Sequence, residues 1–364
     1  MHADVVVIGA GQAGLSAAYA LHRAGADFVV LDANAAPGGA WQHRWPSLRL
    51  DTAHRVHPLP GLPLPDADPA DPASGVVGGY FADYERRFDL PVRRPVAVRA
   101  VRAAGDGFAL ETSEGTWTAR GMVNATGTWA RPFWPAYPGR ELFTGRQLHA
   151  ADYRGAEEFR GRHVVVVGGG TSAVQQLIEI SEVTTTTWVT RRPPLWRASG
   201  FDEDAGRAAV ALVDQRVRAG LPPGSVVGVT GLVETDAVLV ARARGVLDRL
   251  PVFDRLTADG VAWDDGRSVR ADVVLWATGF RAALDHLAPL HLRGPGGGIA
   301  MDGTRVVAEP RLHLVGYGPS ASTIGANRAG PHAARELLRT LAAPTVTDEN
   351  RTPPSSLVGV TLGQ

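Results

Sequence analysis

The sequence predicts an α/β chain built of two doubly wound, mostly parallel units, one inserted in the other. Three observations predict it. A strand, glycine turn, helix and second strand occur in that order twice. Each copy is followed by an antiparallel meander that runs into an apolar strand and the tripeptide Ala-Thr-Gly. The chain has 364 residues, 45% of them hydrophobic, which is enough for two or three packed domains.

The first copy opens at Asp4 with an apolar run to Ile8, then Gly9, Gly11, Gln12, Ala13 and Gly14. Gly9 permits a tight turn, Gly11 lets backbone approach a pyrophosphate, and Gly14 lets the helix lie close to its strand. A helical pattern runs from Gly14 to about Ala24, and its first turn offers free N–H groups and a positive dipole end to phosphates. The second strand, Phe28 to Leu31, ends at Asp32, where a carboxylate accepts both hydroxyls of a ribose.

The second copy opens at His163 and carries Gly168, Gly170, Thr171, Ser172 and Ala173. Its helix runs to about Ile180, and its second strand, Thr185 to Thr190, ends at Arg191 and Arg192. From Gly9 to Asp32 and from Gly168 to Arg191 the spacing is the same 23 residues. One site therefore presents a carboxylate to a diol, and the other presents guanidinium groups, as a 2′-phosphate requires. This points to NADPH at the second site, with NADH bound more weakly. The competing view is that the two arginines solvate a loop in a chain whose only strong base is arginine.

The first meander reads through Val96–Val101, Phe108–Glu111 and Thr116–Ala119 to Thr126 and Gly127; the second reads through Leu256, Val261–Trp263 and Val269 to Thr278 and Gly279. Pro and Asp mark Asp66 to Ser74 as a loop, Gly79 to Asp89 has an amphipathic helical pattern, and Arg293 to Gly298 is a glycine-rich turn. The expected organisation is a discontinuous first dinucleotide-binding domain over 1–157 and 278–342, which the resemblance described below makes the FAD domain, an NADPH-type domain over 158–277, and a tail over 343–364.

Composition removes several classes. There is no cysteine, so thiolate nucleophiles, zinc–thiolate sites and dithiol relays are excluded. There is no lysine, which excludes Schiff-base chemistry and the P-loop lysine. The formal net charge is zero, so no long-range field draws the chain to nucleic acid or an anionic membrane. The 11 histidines lack metal-ligand spacing, and no metal is expected. The strand-like run from Val5 leaves no room for a signal peptide, and no apolar run reaches the roughly 20 residues of a membrane span, so a soluble, cytoplasmic chain is expected. A homodimer is the assembly that symmetry statistics favour.

Gly38, Gly39, Ala40 and Trp41 follow the first ribose site. Small residues there let backbone come close to a flat ring system that Trp41 would wall; a surface turn explains the same residues.

Together these features resemble the class B flavin monooxygenases, that is, the flavin-containing monooxygenases and the Baeyer–Villiger enzymes, over roughly residues 3 to 340. The most specific match is Phe143, Gly145, His149 and Tyr153, which fit the family's Phe-x-Gly-x-x-x-His-x-x-x-Phe/Tyr sequence just ahead of the second fingerprint. Tyr153 leans toward the flavin-containing monooxygenases, and short bacterial members look most similar. The resemblance implies FAD on Gly9 to Gly14, Asp32, Gly39, Ala40, Trp41, Thr126 and Gly127, and NADPH on Gly168, Gly170, Thr171, Ser172, Arg191, Arg192, Thr278 and Gly279. It implies that NADPH reduces the flavin, that reduced flavin and oxygen form a C4a-peroxyflavin, and that one oxygen atom passes to a small soft nucleophile such as a sulfide or amine, or to a ketone. The chain departs from the family at Asp51, where Asn is frequent; Asp51 and nearby Arg49 are the residues expected to bear on that choice. Asp51 is equally read as the cap of a local turn before Thr52. The alternatives are an NADPH oxidase or electron-transfer flavoprotein without oxygen insertion, and a non-catalytic nucleotide-binding module.

Overall fold

Val5–Ile8 is four apolar residues with every side chain buried, the signature of a central parallel strand covered on both faces. It pairs in parallel with Phe28–Leu31 on one side and Gly121–Asn124 on the other. The computed structural model describes residues 1–53, 56–197, 203–224 and 231–343. In it the first sheet has seven strands in the order Met301–Asp302, Arg305–Val306, Glu309–Leu314, Gly121–Asn124, Val5–Ile8, Phe28–Leu31, Val92–Arg93. The second has five parallel strands in the order Arg249–Pro251, Thr186–Thr190, Val164–Val167, Val273–Trp276, Arg146–His149.

The two sheets repeat one plan. In each, the strand before the glycine turn lies between the strand that ends at the ribose position and the strand that leaves the meander. Each is then extended by a strand from outside that unit: Glu309–Leu314 in the first, Arg146–His149 in the second. The meanders are three-stranded and antiparallel, over Val98–Ala104, Gly107–Thr112 and Gly115–Ala119, and over Arg255–Thr257, Gly260–Ala262 and Ser268–Arg270.

Two expected boundaries move. Arg146–His149 falls on the first-domain side of the 157/158 division but pairs in register with Val273–Trp276 in the second sheet. Ala73 and Ser74, expected to end a loop, open the Ala73–Arg87 helix, which begins well before the expected Gly79. Ala73 and Val77 are buried, so packing extends the helix through glycines that lower its propensity. Gly78 has a reason to be there: a Cβ on Gly38 would stand only 3.3 Å from the Gly78 Cα, so the two backbones pass closely. The expected tail lies outside the described residues, apart from Ala343, which ends the last helix.

One helix crosses between the halves. Glu203–Arg218 follows the second fingerprint in sequence, yet its Val213 and Val217 are buried in one cluster with Leu284, Leu292, Ile299 and Tyr317 of the first half. Among the described residues, no helix is long and apolar enough to cross a membrane.

Candidate functional site

At the first fingerprint each glycine answers a contact. Gly9 has φ +98° and a Cβ there would lie 2.7 Å from the Ala125 carbonyl oxygen; on Gly14 it would lie 1.8 Å from the Gly9 carbonyl oxygen. At Gly11 the only close neighbour is Gly39, at 3.8 Å, which leaves room above the backbone. No side chain caps the Gln12–Arg23 helix, so its first N–H groups face this space. Gln12 donates through Nε2 to the His57 carbonyl and to Asn327 Oδ1, and its Oε1 is buried with no partner. Ala13 lies under Gly316, a residue of positive φ just beyond the Glu309–Leu314 strand.

Asp32 is buried at 3% exposure, and its carboxylate is held at both oxygens. Oδ1 accepts from Asn34 (N 3.3 Å, Nδ2 2.9 Å) and Oδ2 accepts from Arg94 Nε at 2.9 Å. Arg94 also grips Glu85 with two bonds of 2.6 Å. Burial pulls the Arg94 pKa down, but the Glu85 bonds and the charges of Glu85 and Asp32 outweigh it and hold it above its ordinary value. His43 Nε2 lies 2.8 Å from Asn34 Oδ1. Burial, with Arg154 adding to it and Asp32 opposing, lowers the His43 pKa. Sequence reasoning missed Asn34, Glu85 and Arg94; the run Arg93-Arg94-Pro95 after a short strand was the one available signal.

The loop after Asp32 bridges the halves. Gly39 presses on Gly11, and Ala40 precedes the single turn Trp41–His43. Trp41 is partly buried against both the first-half and the second-half cores. Further on, Trp45 meets Tyr153 edge-on at 5.9 Å, Ser47 donates to Glu179 at 2.6 Å, and Gln175 donates to the Thr52 carbonyl at 2.7 Å. Arg49 and Asp51 lie in this loop and are both exposed. The turn from Arg49 to Ala53 is closed by Thr52, whose hydroxyl donates to the Arg49 carbonyl, while the Asp51 backbone N–H goes to Pro69. Among the described residues, no ion pair joins Arg49 to Asp51, and the cap expected of Asp51 is made by Thr52 instead.

At the second fingerprint Gly168 has φ +145° and a Cβ would lie 2.2 Å from the Ala277 carbonyl oxygen. Gly170 has open space, and the Thr171–Ser181 helix, with Thr171 and Ser172 in its first turn, has no side-chain cap. Arg191 and Arg192 are exposed, with no carboxylate on either among the described residues. Their strand end is fixed by Thr190, which donates to the Arg192 carbonyl and is held by Arg249 at 3.0 Å.

Thr126-Gly127 and Thr278-Gly279 form the crossing between domains. The two segments run antiparallel: Phe133 N donates to Gly279, Arg281 N to Arg131, and Ala283 N to Gly127. The threonines clasp reciprocally, Thr126 donating to the Ala283 carbonyl at 2.7 Å and Thr278 to the Phe133 carbonyl. Their side chains are therefore committed to the crossing; only backbone faces the cradles. The Phe143–Tyr153 signature supports the same place. His149 is fully buried; its Nδ1 accepts from Ala151 N–H, which leaves Nε2 to donate to the Gly279 carbonyl at 3.1 Å. Burial keeps its pKa low, so it stays neutral in this role. Beside the crossing opens a cleft of about 520 Å³ lined by Arg131, Pro132, Phe133, Trp134, Ala136 and Arg281. Away from all this, His2, Asp4 and Asp27 come within 4.8 Å of one another at the surface, each already engaged by Thr118, Arg120 or backbone.

The family model described as pyridine nucleotide-disulphide oxidoreductase matches residues 6–220. A mutant flavin monooxygenase from Stenotrophomonas maltophilia is 40% identical, with a TM-score of 0.82, over 94% of this chain and 99% of that one. The uncharacterized oxidoreductase CzcO of Bacillus velezensis is 30% identical over 53% of this chain and 56% of its own length. A probable indole-3-pyruvate monooxygenase of Arabidopsis thaliana, YUCCA4, is 30% identical over 48% of this chain and 43% of its own. The chain thus spans about half the length of the curated relatives it matches.

Proposed function

Because the chain belongs to the pyridine nucleotide-disulphide oxidoreductase family, and within it to the flavin monooxygenases, we propose that it is an FAD-dependent, NADPH-using monooxygenase of a small molecule. One observation carries this: two dinucleotide cradles of opposite ribose-end charge meet across a crossing in a chain without cysteine. A disulfide reductase of the same fold needs a dithiol to receive electrons. Here electrons from the second cradle have only the first cradle's occupant to go to.

The residues fit both groups. At the first cradle Gly9 and Gly14 leave no space for Cβ atoms, the helix end is uncapped, and Gln12 Oε1 is buried without a partner. Asp32, oriented by Asn34 and Arg94, would hold the FAD ribose. At the second, Gly168 and Gly170 open the backbone, and Arg191 and Arg192 would take the NADPH 2′-phosphate. Bound FAD and NADPH supply hydride transfer and activation of oxygen. The chain's own contribution is to bind, orient and exclude water. Gly39 and Trp41 close over the first cradle. His149 and the two threonines hold the crossing, and the cleft beside it gives a small substrate access. A soft nucleophile, sulfide or amine, is the favoured substrate class, with a ketone second. Asp51, exposed on the loop that touches the second domain, is the residue proposed to bias that choice together with Arg49.

The test has two parts. Purified protein should be yellow, and Asp32→Ala should lower FAD affinity by about ten- to a hundredfold, matching the roughly 1.5–3 kcal/mol of charge-assisted hydrogen bonds removed. With methyl phenyl sulfide and NADPH, oxygen uptake should yield sulfoxide. Hydrogen peroxide as the sole product on sulfides, amines and ketones would replace the monooxygenase by an NADPH oxidase.

A further inference from the structure

Arg44 ends the Trp41–His43 turn and stands apart from the other cations of the first half. Its guanidinium carbon lies 4.9 Å from the Trp129 ring centre and 5.9 Å from that of Trp41. Among the described residues nothing bonds to its side chain: no carboxylate, carbonyl or hydroxyl. Burial lowers its pKa, and no carboxylate offsets the shift. Arg94, by contrast, is engaged by two carboxylates. Two aromatic faces attract a cation, but they leave the in-plane N–H donors of a guanidinium without acceptors. A half-buried guanidinium in that state keeps its edge donors free for an anion.

Its position says which anion. The loop that carries Arg44 begins at Gly38 and Gly39, and Gly39 presses on Gly11, the glycine with open space above it. On the Trp129 ring, His43 is stacked at 5.8 Å and 11°, and His43 continues through Asn34 to Asp32. Arg44 therefore belongs to a loop that touches the glycine turn through Gly39 and reaches the Asp32 carboxylate through its neighbour His43. The first fingerprint itself contains no positive side chain from Gly9 to Gly14. Arg191 and Arg192 belong to the other cradle.

We infer that Arg44 is the counter-cation for the diphosphate of FAD, donating from the guanidinium edge while Trp41 and Trp129 hold its faces. The inference rests on the reading that the first cradle takes FAD. No bond is made or broken in this step.

The experiment strips FAD from the purified holoenzyme and titrates the apoprotein with FAD, ADP and adenosine, for the unmodified chain, Arg44→Met and Arg44→Lys. Arg44→Met should weaken FAD and ADP by about tenfold or more and leave adenosine unchanged, since adenosine has no phosphate. Arg44→Lys should recover part of the loss, and the loss should shrink as salt rises. The Tm of the apoprotein should change little in Arg44→Met, because methionine keeps an apolar contact with both rings and no hydrogen bond or ion pair is removed. An apoprotein Tm that drops while ADP affinity holds, or equal losses for ADP and adenosine, would make Arg44 a packing residue and overturn the inference. An unmodified chain that binds neither FAD nor ADP would overturn the FAD reading and this inference with it; binding in the unmodified chain with no change in Arg44→Met overturns this inference alone.

Discussion

The two cradles share a plan and differ in how their ends are finished. At the first, the ribose carboxylate is buried and bound on both oxygens, and a loop folds back until Gly39 touches Gly11. At the second, Arg191 and Arg192 are exposed and, among the described residues, nothing comparable covers Gly170. A prearranged, covered site loses little freedom on binding and releases its ligand slowly; an open site of flexible arginines orders them on each arrival. On the proposed reading the difference teaches a division of labour: FAD would be retained at the first cradle and NADPH exchanged at the second.

The comparison breaks most sharply at Arg94. Arg94→Met leaves Asp32 and Glu85 as buried, facing carboxylates and should cost about 3–5 kcal/mol of stability. Arg191→Gln with Arg192→Gln should stay within about 0.5 kcal/mol of the unmodified protein. Denaturant unfolding of the FAD-free forms reads both, and equal losses would erase the contrast.

Acid sharpens it next. His286 and His313 lie in the first half, and burial holds each pKa down at about 4, against Asp285 for the first and with His332 and Arg305 adding for the second. Unfolded, each titrates near 6.5, so the unfolded chain binds more protons between those values. Stability is full above pH 6.5 and falls as pH drops toward 4, by about 3 kcal/mol per histidine. His286→Gln should flatten that slope, and hydrogen exchange at pH 5 should show amides around Asn124, the His286 partner, opening early. A slope unchanged in His286→Gln would assign the acid response elsewhere.

A smaller effect is expected at the open cradle. The Arg191 and Arg192 double change should raise the NADPH KM by about tenfold and leave that for NADH within a factor of about two. Equal KM values for both cofactors in the unmodified enzyme would return the arginines to a solvated loop.

The smallest concerns Asp51, which stands on the loop linking the cradles. Asp51→Ala should leave reduction by NADPH intact and lower the ratio of oxygenated product to hydrogen peroxide. The ratio is measured with methyl phenyl sulfide and with a cyclic ketone, and an unchanged value on both would make Asp51 a turn residue.

The fingerprints were legible because they are local in sequence, strand, turn and helix following one another directly, although only the Gly14 contact with Gly9 lies inside that span; Gly9 and Gly168 answer Ala125 and Ala277, more than a hundred residues away. Asp32 was legible as an acid at a strand end, but its partner Arg94 was not, lying 62 residues away. Thr126 and Thr278 were legible as a repeated tripeptide, yet their hydroxyls bind carbonyls more than a hundred residues off, a pairing no local pattern encodes. His149 showed itself only through the family signature, and the geometry explains the signature as a buried tie to Gly279. The Arg146–His149 strand was misplaced because four residues carry little periodicity and its partner strand comes over a hundred residues later.

The helix Glu203–Arg218 has a mechanical consequence. Its Val213 and Val217 are seated in the first half, the following Gly220 and Leu221 pack on Gly296 and Gly298 of that half, and Gly318 leaves a socket in which a Cβ would stand 3.0 Å from Val217. The helix is thus an apolar tie from the second half of the sequence into the first-half core, beside the threonine-clasped ribbon. Withdrawing both valines from that seat forfeits roughly 3 kcal/mol or more. The halves are therefore tied at two separate places in sequence, one polar at the ribbon and one apolar at this helix.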